Sequence, residues 1–311
     1  MGRILYLCPA VAEPRGGIRT IYHHVESLVA SGREAAVVHF EAGFRPTWFA
    51  SSAPVMDASG NFDLRDTDTL VFPEDFGAAL AALREVPLRK VVFCQNHYHV
   101  FEILEHNAHY RDFGVERILA STNIIAAFCQ RVFGLPTDVV PYALDLNRLT
   151  PAPGQRQLQI AYMPRKGPWN LRIARGILHH ERPDLSGVPW VPIEGKSESE
   201  TAALLQSSDV YLSTSLREGF GLPPLEAMAC GAVVVGFTGG GGNEYARPDN
   251  GVWVPDEDPM ALAAALARTL DQLQQNPTQL DPLRAQAVQM AQTFTLERQK
   301  RELLRYWDSF A

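Results

Sequence analysis

The chain contains 311 residues, of which 46% are hydrophobic and 20% are charged, and its formal net charge is -7. This length allows two domains of ordinary size, each with a substantial apolar core. The negative charge disfavours a general nucleic-acid binder, so any phosphate-binding site must be a local basic one.

Apolar runs alternate with helical patterns in the first half, which is typical of parallel sheets with crossover helices. Strands are predicted at about Ile4–Leu7, Ala35–His39, Thr69–Phe72, Lys90–Cys94, Arg117–Ala120 and Asp138–Val140. Helices are predicted at about Ile18–Ala30, Phe76–Arg84 and Ile124–Val132. The alternation predicts a Rossmann-like domain over residues 1–150, followed by a Pro- and Gly-rich linker at Leu149–Arg156.

The second half repeats this alternation and predicts a second Rossmann-like domain over residues 151–292. Its strands are predicted at about Gln159–Tyr162, Trp190–Ile193, Val210–Thr214 and Ala232–Gly236. Its helices are predicted at about Asn170–His179, Glu198–Gln206, Pro224–Ala229 and Pro259–Gln274, with a final helix over about Pro282–Phe310. The fold class is therefore α/β.

The most informative segment runs from Ser215 to Gly231 and follows a predicted strand. It contains a Gly-Phe-Gly turn that leads into a helix, at the edge of the sheet where open α/β folds bind ligands. Glycines let a diphosphate approach the backbone, and the helix N-terminus adds a partial positive charge. The residues predicted to bind a diphosphate here are Gly219, Phe220, Gly221 and Leu222.

Two carboxylates, Glu218 and Glu226, flank this turn. Such acceptors suit the hydroxyl groups of a nucleotide sugar, whose diphosphate would lie on the turn. For Glu226, predicted to lie in the first helical turn, a purely structural role is the alternative, because a carboxylate there complements the helix dipole.

Glu218 and Glu226 form a Glu-x7-Glu pattern that resembles the signature of retaining GT-B glycosyltransferases, family 4 or group 1 type. Thr238–Glu244 and Asn250–Pro259 resemble motifs that follow it in that family. The resemblance implies two Rossmann-like domains facing across a cleft. It also implies that residues 293–311 form a C-terminal helix that packs back on the first domain.

The resemblance also implies roles for the two carboxylates. Glu226 would bind the ribose hydroxyls of the donor nucleoside. Glu218 would contact the donor sugar near the reacting centre and act as a catalytic residue.

Arg165 and Lys166 follow the first strand of the second domain. Lys166 matches a family lysine that binds the donor diphosphate, whereas Ala161 occupies the position of the usual family arginine. Arg165 is predicted to supply the missing charge, because two cations after a Rossmann strand suit a pyrophosphate. A solvated pair of charges is the alternative.

In the first domain, Gly16 and Gly17 follow the first strand and open a helix. They resemble the family's Gly-Gly loop, which approaches the donor phosphate. A tight strand-to-helix turn without a ligand role is the alternative.

The segment Gln95–His99 follows another strand and contains two histidines. Family members carry a histidine close to the transferred sugar at a comparable position, so His97 is preferred over His99 as a catalytic residue. Surface histidines are the alternative. Tyr142 and Ala143 replace the Asn-Gly of the family motif that closes the first domain.

These features predict a retaining glycosyltransferase that moves a sugar from a UDP- or GDP-sugar to a hydroxyl acceptor, in polysaccharide, glycolipid or glycoconjugate biosynthesis. No cofactor is expected, and no metal, because no Asp-x-Asp follows a strand; Asp66–Asp68 has the letters but precedes one. The alternative is a nucleotide-sugar-binding partner or regulatory subunit without transferase activity. A phosphorylase or an epimerase ranks below both.

The composition predicts a cytoplasmic protein. The N-terminus does not resemble a signal peptide, and no apolar run approaches the length of about 18 residues that a transmembrane helix needs. Peripheral contact with the inner membrane face stays open, because many relatives act on lipid-linked acceptors. The acceptor and the oligomeric state have no signature in the sequence.

Overall fold

A computed structural model describes residues 2–59, 63–105, 108–154 and 156–310. The chain divides into two compact units, and one of them is discontinuous in sequence. Unit 1 contains Met1–Ala143 together with Leu296–Ala311, and unit 2 contains Leu144–Thr295. The boundaries predicted from sequence lie at residues 150 and 292, and one residue of the predicted linker, Gln155, lies outside the described residues.

The strands in chain order are β1 (Ile4–Leu7), β2 (Ala35–His39), β3 (Val55–Asp57), β4 (Thr69–Pro73), β5 (Arg89–Cys94), β6 (Val115–Ala120), β7 (Thr137–Val139), β8 (Gln157–Tyr162), β9 (Trp190–Pro192), β10 (Ser208–Ser213), β11 (Val233–Gly236) and β12 (Val252–Trp253). The helices are α1 (Gly16–Ala30), α2 (Gly77–Ala82), α3 (Val100–Ile103), α4 (Asn123–Phe133), α5 (Pro168–Glu181), α6 (Glu198–Ser207), α7 (Leu222–Ala229), α8 (Pro259–Gln275), α9 (Asp281–Ala291) and α10 (Leu296–Asp308).

Each unit is built on one parallel sheet, which confirms the predicted α/β fold. The sheet of unit 1 has the strand order β3-β2-β1-β4-β5-β6-β7, and the sheet of unit 2 has the order β12-β11-β10-β8-β9. The strand order reverses between β1 and β4 in unit 1, and between β8 and β10 in unit 2. Such switch points open a crevice beyond the carboxyl ends of the strands, where open α/β sheets bind ligands.

The C-terminal helix α10 belongs to unit 1. Its Leu303, Tyr306 and Trp307 are buried in the core formed by β1, β5 and α1. The Trp307 ring meets the Tyr6 ring edge-on, with ring centroids 6.5 Å apart. An ion pair of 2.5 Å between Arg33 and Asp308 adds a contact at the surface. The helix therefore completes the core of unit 1.

The predicted single helix over Pro282–Phe310 is wrong, because the chain leaves the helical path between α9 and α10. The backbone N–H of Leu144 donates to the Phe294 carbonyl at 2.9 Å, and Leu144 pairs with Thr295 in a parallel bridge. The Phe294 ring also packs against the Phe220 ring, with centroids 5.3 Å apart. Because these contacts need extended backbone, the helix is interrupted where the chain passes between the units.

The sequence did not predict the short edge strands β3 and β12. Each strand ends its sheet and pairs on one side only, with β2 and β11 respectively. The four cysteines are buried free thiols, in keeping with their apolar surroundings in the sequence. Across the described residues, every helix is too short or too polar to cross a membrane.

Candidate functional site

The carboxyl edge of the sheet in unit 2 brings together most of the charged residues that the sequence singled out. The loop after β8 carries Lys166, and the loop after β10 carries Glu218, so the two lie on either side of the switch point. Both side chains line one pocket, together with Tyr211 and Thr238. The structure thus places these predicted residues in the crevice expected of a ligand site.

Glu218 is fixed by backbone as well as by side-chain contacts. Arg217 has a φ of 56°, and the backbone N–H of Glu218 donates to the Gly239 carbonyl at 2.8 Å. The Oε1 atom of Glu218 accepts from Lys166 Nζ at 2.5 Å and also from the Ser215 hydroxyl. A non-glycine residue in the left-handed region is costly, and such strain often occurs at functional sites.

Lys166 lies in a tight turn that is locked against the end of β10. The turn ends at Gly167, whose φ is 70°, and a Cβ atom there would lie 1.9 Å from the Thr214 carbonyl oxygen. The Thr214 hydroxyl in turn donates to the Lys166 carbonyl. Only glycine fits this approach, so the two loops hold the ammonium group of Lys166 beside Glu218.

The glycine-rich segment after β11 packs closely against the backbone of the Gly-Phe-Gly turn. A Cβ atom on Gly241 would lie 2.4 Å from the Glu218 carbonyl oxygen and 2.4 Å from the Phe220 nitrogen. The Phe220 ring is buried against the Tyr245 ring at 5.3 Å, so the Phe220 side chain is part of the core. The Tyr245 hydroxyl donates to the Gly221 carbonyl at 2.6 Å.

The helix α7 begins at Leu222, two residues before the predicted start. Its N-cap is Gly221, with a φ of 84° and no side-chain capping bond. Pro223 and Pro224 have no N–H group, so the backbone donors near this helix start are those of Gly221 and Leu222. The predicted anion cradle therefore has fewer N–H groups than an ordinary helix N-terminus.

Glu226 lies in the second turn of α7, and its predicted place in the first turn is wrong because the helix starts earlier. A carboxylate there gains little from the helix dipole, which weakens the structural alternative. Glu226 and Glu218 both raise the pKa of the buried Tyr211 hydroxyl, after burial itself, whereas Arg165 lowers that pKa. Tyr211 therefore lies within electrostatic reach of all three.

The two positions before Lys166 that bear on the missing arginine, Ala161 and Arg165, have opposite environments. Ala161 is fully buried in β8, so a long cationic side chain has no room at the usual family position. Arg165 is exposed. The charge of Arg165 can therefore reach this site only from the solvent side.

In unit 1, Gly16 and Gly17 form the first residues of α1 and follow β1 at the switch point. A Cβ atom on Gly17 would lie 3.1 Å from Gln95 Oε1. Gln95 follows β5, and its backbone N–H donates to Glu74 Oε2 at 3.0 Å. The predicted Gly-Gly turn thus packs on a side chain for which the sequence indicated no role.

The two candidate histidines have different surroundings. The His97 ring stacks near Tyr98 and Phe128, with centroids 4.2 and 5.1 Å away, and its buried Nδ1 atom finds no hydrogen-bond partner among the described residues. Burial lowers the pKa of His97, which favours the neutral imidazole at pH 7. His99 is exposed and pairs with Glu102 at 2.8 Å. A catalytic role for His97 stays a prediction.

Solved structures of low sequence identity share this fold over nearly the whole chain. A glycosyltransferase from Rickettsia africae ESF-5 superposes with a TM-score of 0.74 at 15% identity, covering 99% of this chain and 98% of that chain. Anabaena Alr3699/HepE, solved in complex with UDP, superposes with a TM-score of 0.68 at 14% identity, covering 99% and 100%. Such similarity establishes the GT-B fold.

Sequence comparison gives the class of enzyme. Residues 193–287 match the model of the glycosyl transferases group 1. The alpha-1,6-glucosyltransferase of Actinobacillus pleuropneumoniae serotype 7 is 25% identical over 278 residues, which cover 86% of this chain and 83% of that protein. The chain is a glycosyltransferase with a group 1 match over residues 193–287. The matched region of this glycosyltransferase contains Glu218 and Glu226 but not Lys166.

Sequence reasoning missed the residues that support the Glu218–Leu222 loop of this glycosyltransferase. Asp256 Oδ1 accepts from the backbone N–H groups of Thr238 and Gly239, at 3.0 and 3.2 Å. Asn250 is buried and donates from Nδ2 to the Tyr245 carbonyl at 2.9 Å. The Asn-Gly-Val-Trp-Val-Pro-Asp run contains both residues, so it was a signal for this support.

Glu74 is a further residue that the sequence did not indicate. It is buried directly after β4, and burial raises the pKa of its carboxyl to about 8. No group of three or more metal-ligating side chains occurs within the part of the chain that the structure describes. The metal-independent chemistry of this glycosyltransferase is a prediction that this observation does not test.

Proposed function

We propose that this glycosyltransferase transfers a sugar from a UDP- or GDP-sugar to a hydroxyl acceptor, with retention at the anomeric carbon. The observation that carries the proposal is the Lys166–Glu218 ion pair beside the Gly219–Leu222 turn. Nζ lies 2.5 Å from Oε1, and both side chains are only partly exposed, at 26% and 16%. The crevice therefore offers a cation, a carboxylate and backbone donors in one place.

These groups answer the main chemical demand of the reaction, which is to stabilise a departing diphosphate. Lys166 and the backbone N–H groups of Gly221 and Leu222 supply fixed positive electrostatics for that charge. Because the Lys166–Glu218 pair already exists, the ammonium needs little reorganisation when a phosphate arrives. Arg165 adds a second cation from the solvent side.

The two carboxylates are proposed to bind the ribose and the sugar of the donor. Glu226 is proposed to accept hydrogen bonds from the ribose hydroxyls. Glu218 is proposed to orient the donor sugar and to stabilise the positive charge that develops at its anomeric carbon. The Gly16–Gly17 turn and His97 of unit 1 stay proposed contacts of the same substrate.

UDP compounds are the first donors to test, because the similar Anabaena structure contains UDP. GDP compounds share the diphosphate and ribose that these residues address. No cofactor is proposed beyond the nucleotide sugar. A cytoplasmic location and peripheral contact with the inner membrane face stay predictions.

A binding protein without transferase activity is not favoured. The similar protein from Actinobacillus is named a glucosyltransferase, and the similar Rickettsia structure is named a glycosyltransferase. The ion pair and the loop that hold Glu218 are also intact. Turnover of a nucleotide sugar with any acceptor would exclude the binding-only alternative.

The test is ligand-detected NMR with UDP, GDP and a panel of their sugars. We expect binding of one nucleotide class and at least tenfold weaker binding in Lys166→Ala and Glu226→Ala. Arg268→Ala and Glu181→Ala are the control variants, because both residues are exposed on helices of unit 2, on α8 and at the end of α5, and do not line the crevice. Absence of binding to every compound, or equal losses in the controls, would refute the proposed site.

A further inference from the structure

A network of buried polar side chains lies at the switch point of unit 1, directly beneath the Gly16–Gly17 turn. Its centre is Gln95, which is 9% exposed and follows β5. A methyl group added at Gly17 would lie 3.1 Å from Gln95 Oε1 and 3.2 Å from Nε2. The carboxamide therefore occupies the space into which any side chain at position 17 would extend.

Two buried partners fix Gln95. The Tyr142 hydroxyl donates to Gln95 Oε1 at 3.2 Å, and the backbone N–H of Gln95 donates to Glu74 Oε2 at 3.0 Å. Tyr142 and Glu74 are 6% and 7% exposed, so neither bond is shared with bulk water. Buried hydrogen bonds of this kind rigidify the groups that they join.

The topology explains why these residues meet. Gly16 follows β1, Glu74 follows β4 and Gln95 follows β5, and these three strands are adjacent in the sheet. Their carboxyl ends therefore lie side by side at the switch point. The tyrosine that replaces the family asparagine, Tyr142, follows β7 and reaches the same side chain. Tyr142, which departs from the family pattern, thus has a hydrogen-bond partner in Gln95.

His97 does not take part in this arrangement. Its ring packs on Tyr98 and Phe128, and burial lowers its pKa. The side chain that contacts the turn is Gln95, two residues earlier.

We propose that Gln95 is a positioning residue that holds the Gly16–Gly17 turn in its working geometry, and that the Tyr142 hydroxyl and the Glu74 carboxyl hold Gln95. A neutral amide suits this place, since it fixes the turn without adding charge. The effect on catalysis rests on the proposed function, because it acts through a turn proposed to contact the substrate. The positioning of the turn by Gln95 does not rest on the proposed function.

The first test measures the turn directly by amide hydrogen exchange of the segment 14–20 in the full chain. Gln95→Ala and Tyr142→Phe should accelerate exchange about three- to tenfold, the factor expected for the loss of one buried hydrogen bond. His99→Gln is the matched control, because His99 is exposed in the same loop. Unchanged exchange in Gln95→Ala would overturn the proposal whether or not the protein binds a nucleotide.

The second test is a double-mutant cycle on sugar release or transfer from the nucleotide sugar that the NMR panel identifies. Gly17→Ala should lower kcat about tenfold alone and less than twofold in the Gln95→Ala background, since the added methyl then meets no carboxamide. Gly176→Ala should change nothing, because a Cβ atom there meets no atom within 4 Å. Equal losses in both backgrounds would contradict a direct contact.

A third measurement separates positioning from general damage. Gln95→Ala should lower kcat about tenfold, while amide hydrogen exchange in α10, elsewhere in unit 1, stays at the wild-type rate. Faster exchange in α10 as well as in the segment 14–20 would mean that Gln95 only supports the fold. A wild-type protein that binds no UDP or GDP compound would refute the proposed function, and the hydrogen-exchange test would still decide the role of Gln95.

Discussion

The two units place different chemistry at equivalent edges of similar sheets. In unit 2 the crevice after β8 and β10 contains a charged pair, Lys166 and Glu218, that is still partly exposed. In unit 1 the crevice after β1, β4 and β5 is lined by Gln95 and Tyr142, with Glu74 behind them, all of them buried. One edge therefore presents an ion pair, and the other a set of buried hydrogen bonds.

The supports of the two edges differ as well. In unit 2, backbone lies against backbone: Gly241 and Gly167 approach other main-chain atoms so closely that no Cβ atom fits. At the switch point of unit 1, a Cβ atom on Gly17 would meet the Gln95 side chain at 3.1 Å and no backbone atom. We therefore expect small steric changes at Gly241 and Gly167 to cost more than the same change at Gly17.

The largest expected effect breaks the backbone support in unit 2. Gly241→Ala places a methyl group 2.4 Å from the Glu218 carbonyl oxygen, so the loop must shift. A shift of about 1 Å at a catalytic group lowers rates about 100-fold, and overpacking costs about 1–3 kcal/mol of stability. Transfer rates with the nucleotide sugar that the NMR panel identifies, and thermal unfolding, measure the two effects, with Gly176→Ala as the control for the rate. A wild-type rate in Gly241→Ala would refute the dependence on this contact.

The next effect tests the buried carboxyl in unit 1 through pH. The pKa of Glu74 is about 8 in the folded protein because of burial, above the ordinary value near 4.5. Between these pH values the folded protein keeps a proton that the unfolded chain releases, so stability falls as pH rises through this window. The slope is on the order of 1 kcal/mol per pH unit.

Glu74→Gln removes this titration while it keeps an acceptor for the Gln95 N–H. Urea unfolding from pH 4.5 to 8 should show the variant gaining stability relative to wild type as pH rises. Asp75, Cys94 and Tyr110 also lie near this carboxyl and stay unchanged in the variant. Glu105→Gln, at an exposed position, is the control. A constant difference across the window would show that Glu74 titrates normally.

A smaller effect concerns the hydrogen bond between the Tyr245 hydroxyl and the Glu218–Leu222 loop. Tyr245→Phe removes the donor to the Gly221 carbonyl, a 2.6 Å bond inside the core. The free energy of unfolding should fall by about 1 kcal/mol. Urea unfolding measures it, and Tyr98→Phe, at an exposed position, should change it little. A loss as small as that of the control would mean that water replaces the bond.

The sequence predicted the parallel sheets and the residues of the charged crevice, because both have local signatures. Alternating apolar runs predicted most of the strands. The two glutamates around a Gly-Phe-Gly turn predicted the ligand-binding loop after β10. The helix α7 was predicted to begin at Pro224, two residues late, because the Pro-Pro pair indicated a helix start there. Its N-cap is Gly221. Glu226 was therefore assigned to the wrong helical turn.

The neutral crevice of unit 1 could not be predicted, because it depends on contacts between residues far apart in the chain. Gln95 and Tyr142 are 47 residues apart. The break between α9 and α10 has the same origin: the segment reads as one helix, but Leu144 pairs with Thr295. Local patterns carry no information on such partners.

The smallest expected effect decides how unit 2 compensates for Ala161, which occupies the usual position of a family arginine. Arg165 is exposed, so Arg165→Ala should weaken nucleotide binding less than about fivefold, and the loss should shrink at high salt because exposed charges are screened. Titrations of UDP at low and high salt, beside Lys166→Ala, measure this. A loss as large as that of Lys166→Ala, insensitive to salt, would mean that Arg165 contacts the diphosphate directly. The partly exposed Lys166 ammonium, already paired with Glu218, would then share the neutralisation of the diphosphate with Arg165.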